Sequence, residues 1–232
     1  MTVWPEQTET PHFAMPFDGQ TLPMFNMARG QRRLQRLLNA CRDRQRLVIL
    51  THNDPDPDAL ASAWALQTLL NARLDSHASI VYGGIIGRAE NRALVSSLEM
   101  QLSQVDKISW DGVDAVALID TQIGASNHAR PPQLPIVAVF DHHQFRRSPQ
   151  RARYRDVRPG YGATSTILTE YLVAAEMQPP SQLATALFYG IKTDTRGLAR
   201  DACDCDAWAY MVLLGLMDPK LLAKIEQALA KL

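Results

Sequence analysis

In the segment His52-Asn53-Asp54-Pro55-Asp56-Pro57-Asp58, one imidazole and three carboxylates fall within seven positions. Carboxylates held so close raise one another's pKa and destabilise a fold unless a cation or a basic partner offsets them. Metal binding is therefore the chemistry this spacing favours. Pro55 and Pro57 fix φ and bias the residues before them to extended conformations, and in an extended loop Asp54, Asp56 and Asp58 would point to one side. The same residues could instead cap a helix, because an aspartate at a helix start is favoured by capping and by the macrodipole; Asp54 and Asp58 are the candidates for that work. Further donors are Asp120, which ends AVALID, Asp141-His142-His143, which follows IVAVF, and Asp194 in GIKTDTRGL. Taken alone, Asp120 and Asp194 also read as turn or cap residues, and a histidine pair at a strand end is more often an exposed polar pair than a catalytic one.

The apolar pattern around the donors indicates what would position them. Arg46 to His52 (RLVILTH) is a short continuous apolar run, the pattern of a strand covered on both faces of a parallel sheet. Ala115 to Asp120 and Ile136 to Asp141 repeat it, and ASIVYGG from Ala78 is a fourth candidate. Helical spacing marks Met27 to Arg44, where Leu34, Leu37, Leu38 and Cys41 recur, and Ala59 to Ala72. Further helices are expected over Arg88 to Leu102, Ala163 to Ala175, Gln182 to Thr193, Asp204 to Leu214 and Pro219 to Leu232. This alternation predicts an α/β fold: a doubly wound, mostly parallel sheet flanked by helices, with a helical C-terminal part. Ligands of such sheets bind beyond the carboxyl ends of the strands, at a topological switch point, and His52, Asp120 and Asp141 all fall at predicted strand ends. The expected organisation is an extended or disordered arm over residues 1–26, a main domain over 27–200 and C-terminal helices over 201–232.

Twenty-four basic residues balance twenty-four acidic ones, which argues against a protein that coats nucleic acid or carries an acidic tail. The distribution is uneven: seven arginines against Asp43 between Arg29 and Arg46, and six against Asp156 between Arg146 and Arg158. These stretches either attract an anionic substrate or form a solvated helix face or an edge strand. An odd count of three cysteines, and a start without a basic and apolar signal segment, lead to the expectation of a reducing, cytoplasmic setting. No apolar run approaches the roughly 20 residues that cross a bilayer, so no membrane partner is expected.

Taken together and in chain order, His52 with Asp56 and Asp58, then Asp120, then Asp141-His142-His143, then Asp194 resemble the four motifs of the DHH phosphoesterase superfamily. The likeness is to its RecJ-like and oligoribonuclease/pAp phosphatase members and covers roughly residues 45–200. Asp54 stands where relatives often carry asparagine and Pro57 where glycine is common; neither departure removes a ligand. The resemblance implies two divalent ions, Mn²⁺ before Mg²⁺, one held by His52, Asp56 and Asp120 and the other by Asp58, Asp120, His142 and Asp194. Asp120 would bridge them. Two such ions about 3.5–4 Å apart clamp an in-line displacement at phosphorus and lower the pKa of the attacking water. Catalytic parts are implied for Asp120, for His143 as an electrostatic or proton-handling group beside the scissile phosphate, and for Asp141 in orienting a histidine ring. Thr164 and Ser165 in GYGATS precede a helix whose amides could meet a phosphate, a turn and N-cap being the alternative, while Arg146, Arg147, Arg196 and Arg200 are candidates for substrate phosphates.

The implied activity is hydrolysis of phosphoester bonds in short oligonucleotides, nucleoside bisphosphates of the pAp kind or cyclic dinucleotides. A pyrophosphatase or polyphosphatase is a second enzyme reading, and a non-catalytic nucleotide-binding or regulatory module a third. The expected partner is a phosphorylated small molecule or a short single-stranded nucleic acid. In nucleotide-acting members, a glycine- and histidine-rich DHHA1-type domain grips the far end of the substrate. Only 38 residues follow Asp194 here, so a homodimer or a partner protein is expected to complete the site.

Overall fold

The computed structural model of the chain describes residues 25–129 and 131–228. Most of the expected arm, and the last residues of the last expected helix, lie outside that range. The first half of the fold alternates α1 (Met27–Cys41), β1 (Arg46–Thr51), α2 (Pro57–Arg73), β2 (His77–Tyr82), α3 (Ala89–Ser97), β3 (Leu102–Gln104) and β4 (Ala115–Ile119). The second half comprises β5 (Ile136–Asp141), β6 (Tyr154–Val157), α4 (Thr164–Ala174), α5 (Ser181–Asp194), α6 (Asp204–Leu214) and α7 (Pro219–Gln227). Asn26, assigned to the arm from sequence, instead caps α1 by accepting the Arg29 N–H at 2.9 Å.

The strands form one sheet in the order β3-β2-β1-β4-β5-β6, and every neighbouring pair is parallel. The chain thus has the α/β fold expected. The winding direction changes at β1, which pairs with β2 on one side and β4 on the other. β1 reads as a continuous apolar run because both of its faces are covered. Leu47 and Ile49 join the helix-side core, whereas Val48 and Leu50 face Val81, Val116, Leu118 and Val139. That second face is closed by side chains of the connecting segments, among them Val105, Ile108, Trp110 and Leu134. α2 has no polar stripe, and its residues from Pro57 to Ala63 are all buried, as befits a helix enclosed by α4, α5, β1 and β2. Trp208, Ala209, Val212 and Leu213 of α6 and Ile225 of α7 belong to the same core, so the C-terminal helices pack into the domain.

Two strands differ from the sequence reading. The helix expected to reach Leu102 ends at Ser97, Glu99 takes a positive φ, and the three residues of β3 follow. β6 lies inside the second basic stretch, where Tyr154 and Asp156 turn inward and Arg155 outward. Its apolar content is too low to announce a strand.

β6 is held by a buried ionic network. Arg158 donates to both Asp156 oxygens, at 2.8 and 2.7 Å, and to Glu170 at 2.6 Å. The Tyr171 hydroxyl donates to Asp156 and the Tyr161 hydroxyl to Glu170, while Arg33 of α1 lies 3.6 Å from Glu170. Some arginines of both basic stretches are thus structural. Burial works against ionisation of Asp156, yet the Arg158 hydrogen bonds and charge outweigh it and hold the carboxyl below its ordinary value. Removing one partner of a buried pair leaves the other charge uncompensated. Asp156→Ala is expected to lower the unfolding free energy by about 3–5 kcal/mol in urea titrations. Because the folded pKa is depressed, the wild-type contribution is complete above the unfolded value of about 3.9 and disappears as pH falls through the folded value. A variant as stable as the parent at pH 7 would show that the network contributes nothing.

Candidate metal centre

Asp56 and Asp58 enter the site through the start of α2. Asp56 is the N-cap and accepts the Ala59 N–H at 3.0 Å, with Pro57 at the first helical position. Asp58, one residue further on, is fully buried. Its two oxygens accept the N–H groups of Thr164 and Ser165, each at 2.8 Å. α4 has no side-chain cap of its own, so a carboxylate from α2 supplies one and meets the positive end of the α4 dipole. α2 itself is thus capped by Asp56, while Asp58 caps α4 and Asp54 caps neither. Asp54 takes no part in the donor cluster: at positive φ, its carboxylate turns away and accepts the Ile85 N–H at 2.8 Å.

Asp120 follows β4 at φ +55°, a conformation uncommon for a residue other than glycine. Its Oδ1 accepts the Thr164 hydroxyl at 2.8 Å. On one side His52 Nε2 stands 3.5 Å from Asp120 Oδ2 and 3.7 Å from Asp56 Oδ1. On the other, His142 Nε2 stands 3.6 Å from Asp120 Oδ1 and 3.3 Å from Asp194 Oδ2. Both rings set Nδ1 against a backbone carbonyl, His52 on Asn53 at 2.8 Å and His142 on Tyr161 at 3.2 Å. A proton on Nδ1 serves that carbonyl and leaves the Nε2 lone pair facing the carboxylates. Asp194 arrives from the end of α5, one turn after Gly190. A Cβ at Gly190 would lie 2.6 Å from Ser165 Oγ and 3.1 Å from Asp58 Cα, so glycine permits the close approach of α5.

His143 stands at the exposed edge of the cluster, its Nδ1 3.7 Å from Asp120 Oδ1. Its side chain is 60 % exposed, and Nδ1 lies 2.8 Å from buried Asp141. Asp141 also accepts from Gln122 Nε2 at 2.7 Å. Gln122 is itself buried; it donates to the Gln144 carbonyl and accepts the Arg146 N–H, which fixes the loop after β5. A cavity of about 430 Å³ opens here, lined by Asp120, Thr121, Gln122, Asp141, His143, Phe145 and Arg146 among others. Sequence reading missed Gln122 and Phe145, since neither a lone amide past a strand nor a loop phenylalanine carries a local signal.

The substrate residues expected from sequence divide. Arg146 lines this cavity. Arg147, Arg196 and Arg200 are exposed and do not line it, Arg200 donating instead to the Asp194 carbonyl. Thr164 and Ser165 are a correction: both are fully buried, and their amides are taken by Asp58, so no phosphate meets them.

The donors fit divalent metal ions. His52, Asp56 and Asp120 offer three ligand atoms within 4.8 Å of one another, as do Asp58, His142 and Asp194, and Asp120, His142 and His143. His142 Nε2 is buried and makes no hydrogen bond despite its carboxylate neighbours, which suits an atom shaped to ligate a cation. Burial disfavours the charged form of His52, but Asp120 and Asp56 outweigh it and lift the pKa to about 11. His142 rises to about 10 against burial, through Asp194, Asp120 and Asp58. Burial first, then the neighbouring carboxylates, raise Asp58 and Asp194. This is the electrostatic pattern of a negative cluster that holds protons until a cation takes their place.

Comparison with known proteins places most of these residues, Asp194 excepted, within a family match. Residues 46–191 match the model of the DHH family, N-terminal domain. An uncharacterized protein of Methanocaldococcus jannaschii is 42% identical over 181 residues, covering 78% of this chain and 37% of that protein, so the chain spans little more than a third of this relative. An exopolyphosphatase-related protein from Bacteroides fragilis superposes with a TM-score of 0.63 at 15% identity, over 89% of this chain and 62% of that one, a likeness of fold. The exonuclease RecJ bound to manganese superposes with a TM-score of 0.42 at 15% identity, over 84% and 48% of the two chains.

Protons and a cation compete for the same Nε2 lone pairs, which fixes the sign of the pH dependence. With His52 near 11 and His142 near 10, ligand protons must leave on binding across the neutral range. Mn²⁺ affinity measured by calorimetry is expected to rise about tenfold per pH unit for each proton displaced. Affinity that stays constant from pH 6 to 8 would show that these imidazoles are not ligands.

Proposed function

The chain belongs to the DHH family, and from that premise we propose that it is a metal-dependent phosphoesterase acting on nucleotides or short oligonucleotides. The observation that supports this reading most is the convergence of two donor groups on one sheet rim, with Asp120 facing both His52 and His142. In this reading His52, Asp56 and Asp120 hold one ion, and Asp58, Asp120, His142 and Asp194 a second. Oxygen-rich donors with a few imidazoles suit Mn²⁺ or Mg²⁺, and Mn²⁺ is preferred. When bound, such a pair activates water and offsets charge on the phosphoryl oxygens.

The chain's own side chains account for the remainder. Thr164 fixes the orientation of Asp120 through its hydroxyl. The hydrogen bond from Nδ1 to Asp141 holds the His143 proton more tightly than in a free imidazole, so its pKa is raised. Its exposed ring can present N–H to the scissile phosphate, offsetting charge or delivering a proton to the leaving oxygen. Gln122 keeps Asp141 in place for that task. Phe145 is 59% exposed at the edge of the same cavity, with the Arg155 guanidinium 3.9 Å above its ring. A rigid aromatic face backed by a cation suits stacking with a nucleobase, and it favours nucleotides over pyrophosphate.

The test is phosphate or nucleotide release from pAp, dinucleotides, cyclic dinucleotides, short DNA and pyrophosphate, with Mn²⁺, with Mg²⁺ and with EDTA. Metal-dependent release from one nucleotide class is expected, and Asp120→Ala should reduce it by about a thousandfold or more. Phe145→Ala should raise KM for that substrate roughly ten- to a hundredfold, the scale of one lost stacking contact. Turnover of pyrophosphate alone would sink the nucleotide reading. Silence across the panel with metal bound would leave a non-catalytic module or an enzyme that needs a partner.

A further inference from the structure

A second charged feature lies outside the metal centre. Arg29, Arg32, Arg33 and Arg36 recur at i, i+3, i+4 and i+7 on α1, a single stripe about 10 Å long. The stripe faces β6 across a concave groove of about 470 Å³, whose far wall includes Arg155, Tyr154 and Asp156. Asp156 is the carboxylate in that lining, and Arg158 already engages both of its oxygens. Arg33 leans on Glu170 at 3.6 Å. Among the described residues no carboxylate lies within 4.0 Å of the Arg29, Arg32 or Arg36 guanidinium. Like charges gathered on one concave surface repel one another, and the groove concentrates their field. A ligand with regularly spaced negative charges removes that cost.

Arg155 connects the groove to the metal-centre cavity. Arg155, which lines the groove, donates to Gln122 Oε1 at 2.5 Å and to the Arg146 carbonyl at 3.1 Å, and it stacks on Phe145. Gln122, Phe145 and Arg146 line the cavity beside His143. A mononucleotide or bisphosphate held at the metal centre would occupy that cavity alone. A longer chain would pass Phe145 and Arg155 and enter the groove.

We propose that the groove between α1 and β6 docks the phosphate backbone of a single-stranded nucleic acid whose terminal nucleotide occupies the metal-centre cavity. The inference rests on the phosphoesterase reading and narrows its substrate to strands of several nucleotides. Four features select this occupant. The arginines are repeated along a line and suit successive phosphates. The surface is concave, unlike one that receives a membrane. Phe145 offers a stacking face that an inorganic polyphosphate cannot use and a base paired within a duplex cannot reach. Arg32 and Arg36 are exposed, Arg36 lying over the Tyr154 ring, and among the described residues neither is paired with a carboxylate.

The experiment is fluorescence anisotropy of labelled oligothymidylates of three and twelve nucleotides, in EDTA so that nothing is turned over, with wild type, Arg32→Gln/Arg36→Gln and the charge-preserving Arg32→Lys/Arg36→Lys. Wild type is expected to bind the twelve-mer at least tenfold more tightly than the trimer. The glutamine variant should lose that advantage, and its log affinity against log salt should be shallower by about 1.4, at about 0.7 per phosphate contact for single strands. The lysine variant should keep the wild-type slope. Equal affinity for both lengths in wild type, or a glutamine variant with an unchanged slope, overturns the proposal. Competition by charge-matched polyphosphate as strong as by the twelve-mer, together with no effect of Phe145→Ala, overturns the nucleic-acid assignment. Length-dependent binding by a protein that hydrolyses nothing would keep the groove and end the reading of this chain as a phosphoesterase that acts alone, so the two fail separately.

Discussion

Four carboxylates, Asp56, Asp58, Asp120 and Asp194, crowd two imidazoles at the rim of the sheet, and their mutual repulsion is the constraint that the surrounding structure answers. Three of them take a hydrogen bond from a helix start that offsets part of their charge. Asp56 faces the N-terminal dipole of its own helix, Asp58 faces that of α4, and Asp120 takes the Thr164 hydroxyl. These contacts supply partial charges only, so Nε2 of each imidazole can still exchange its proton for a cation. The folding consequence is that α2, α4 and α5 are positioned by polar atoms as well as by apolar packing. Ser62 Oγ lies 3.3 Å from Ser165 Oγ, and Gly190 brings α5 against Ser165 and Asp58.

The rim lies where the strand order changes direction, and that placement follows from the sheet. A parallel sheet with the order β3-β2-β1-β4-β5-β6 sends the chain to opposite sides after β1 and after β4. A crevice is left between their carboxyl ends. His52 follows one of these strands and Asp120 the other, so ligands 68 residues apart in the chain meet across it. His142 and His143, after β5, then divide the work between adjacent positions, one ring turned to the carboxylates and the other to the cavity.

Much of this was legible in the sequence, and the misses share a cause. β1, β4 and β5 were readable because strands covered on both faces are continuously apolar, and the donors at their ends stand out against that background. β6 was not, since an edge strand that buries Asp156 and Tyr154 in an ionic network has no apolar run to display. The roles of Thr164 and Ser165 were misread because their partner, Asp58, lies more than a hundred residues away. Local pattern suggested a helix start open to a phosphate, while the fold had already given those amides a carboxylate. Gln122 escaped for the same reason: its value lies in joining β5, the loop after it and Arg155, none of which is adjacent in the chain. Asp54 shows the converse, a residue whose local spacing fitted the cluster but whose backbone turns it toward the loop after β2.

The edge position of β6 also bears on how the protein behaves in a crowded solution. A terminal strand of a parallel sheet offers its unpaired amides and carbonyls to any extended chain, and such edges are routes to uncontrolled association. Here the strand is four residues long, pairs among the described residues with β5 alone, and stands beside the α1 arginines with Arg155 turned outward. Those guanidinium groups repel a second copy of the same edge. Self-association along β6 is therefore governed by the state of the groove: positive charge keeps molecules apart, and whatever neutralises it, whether high salt or a bound polyanion, removes the guard on the open side of the sheet.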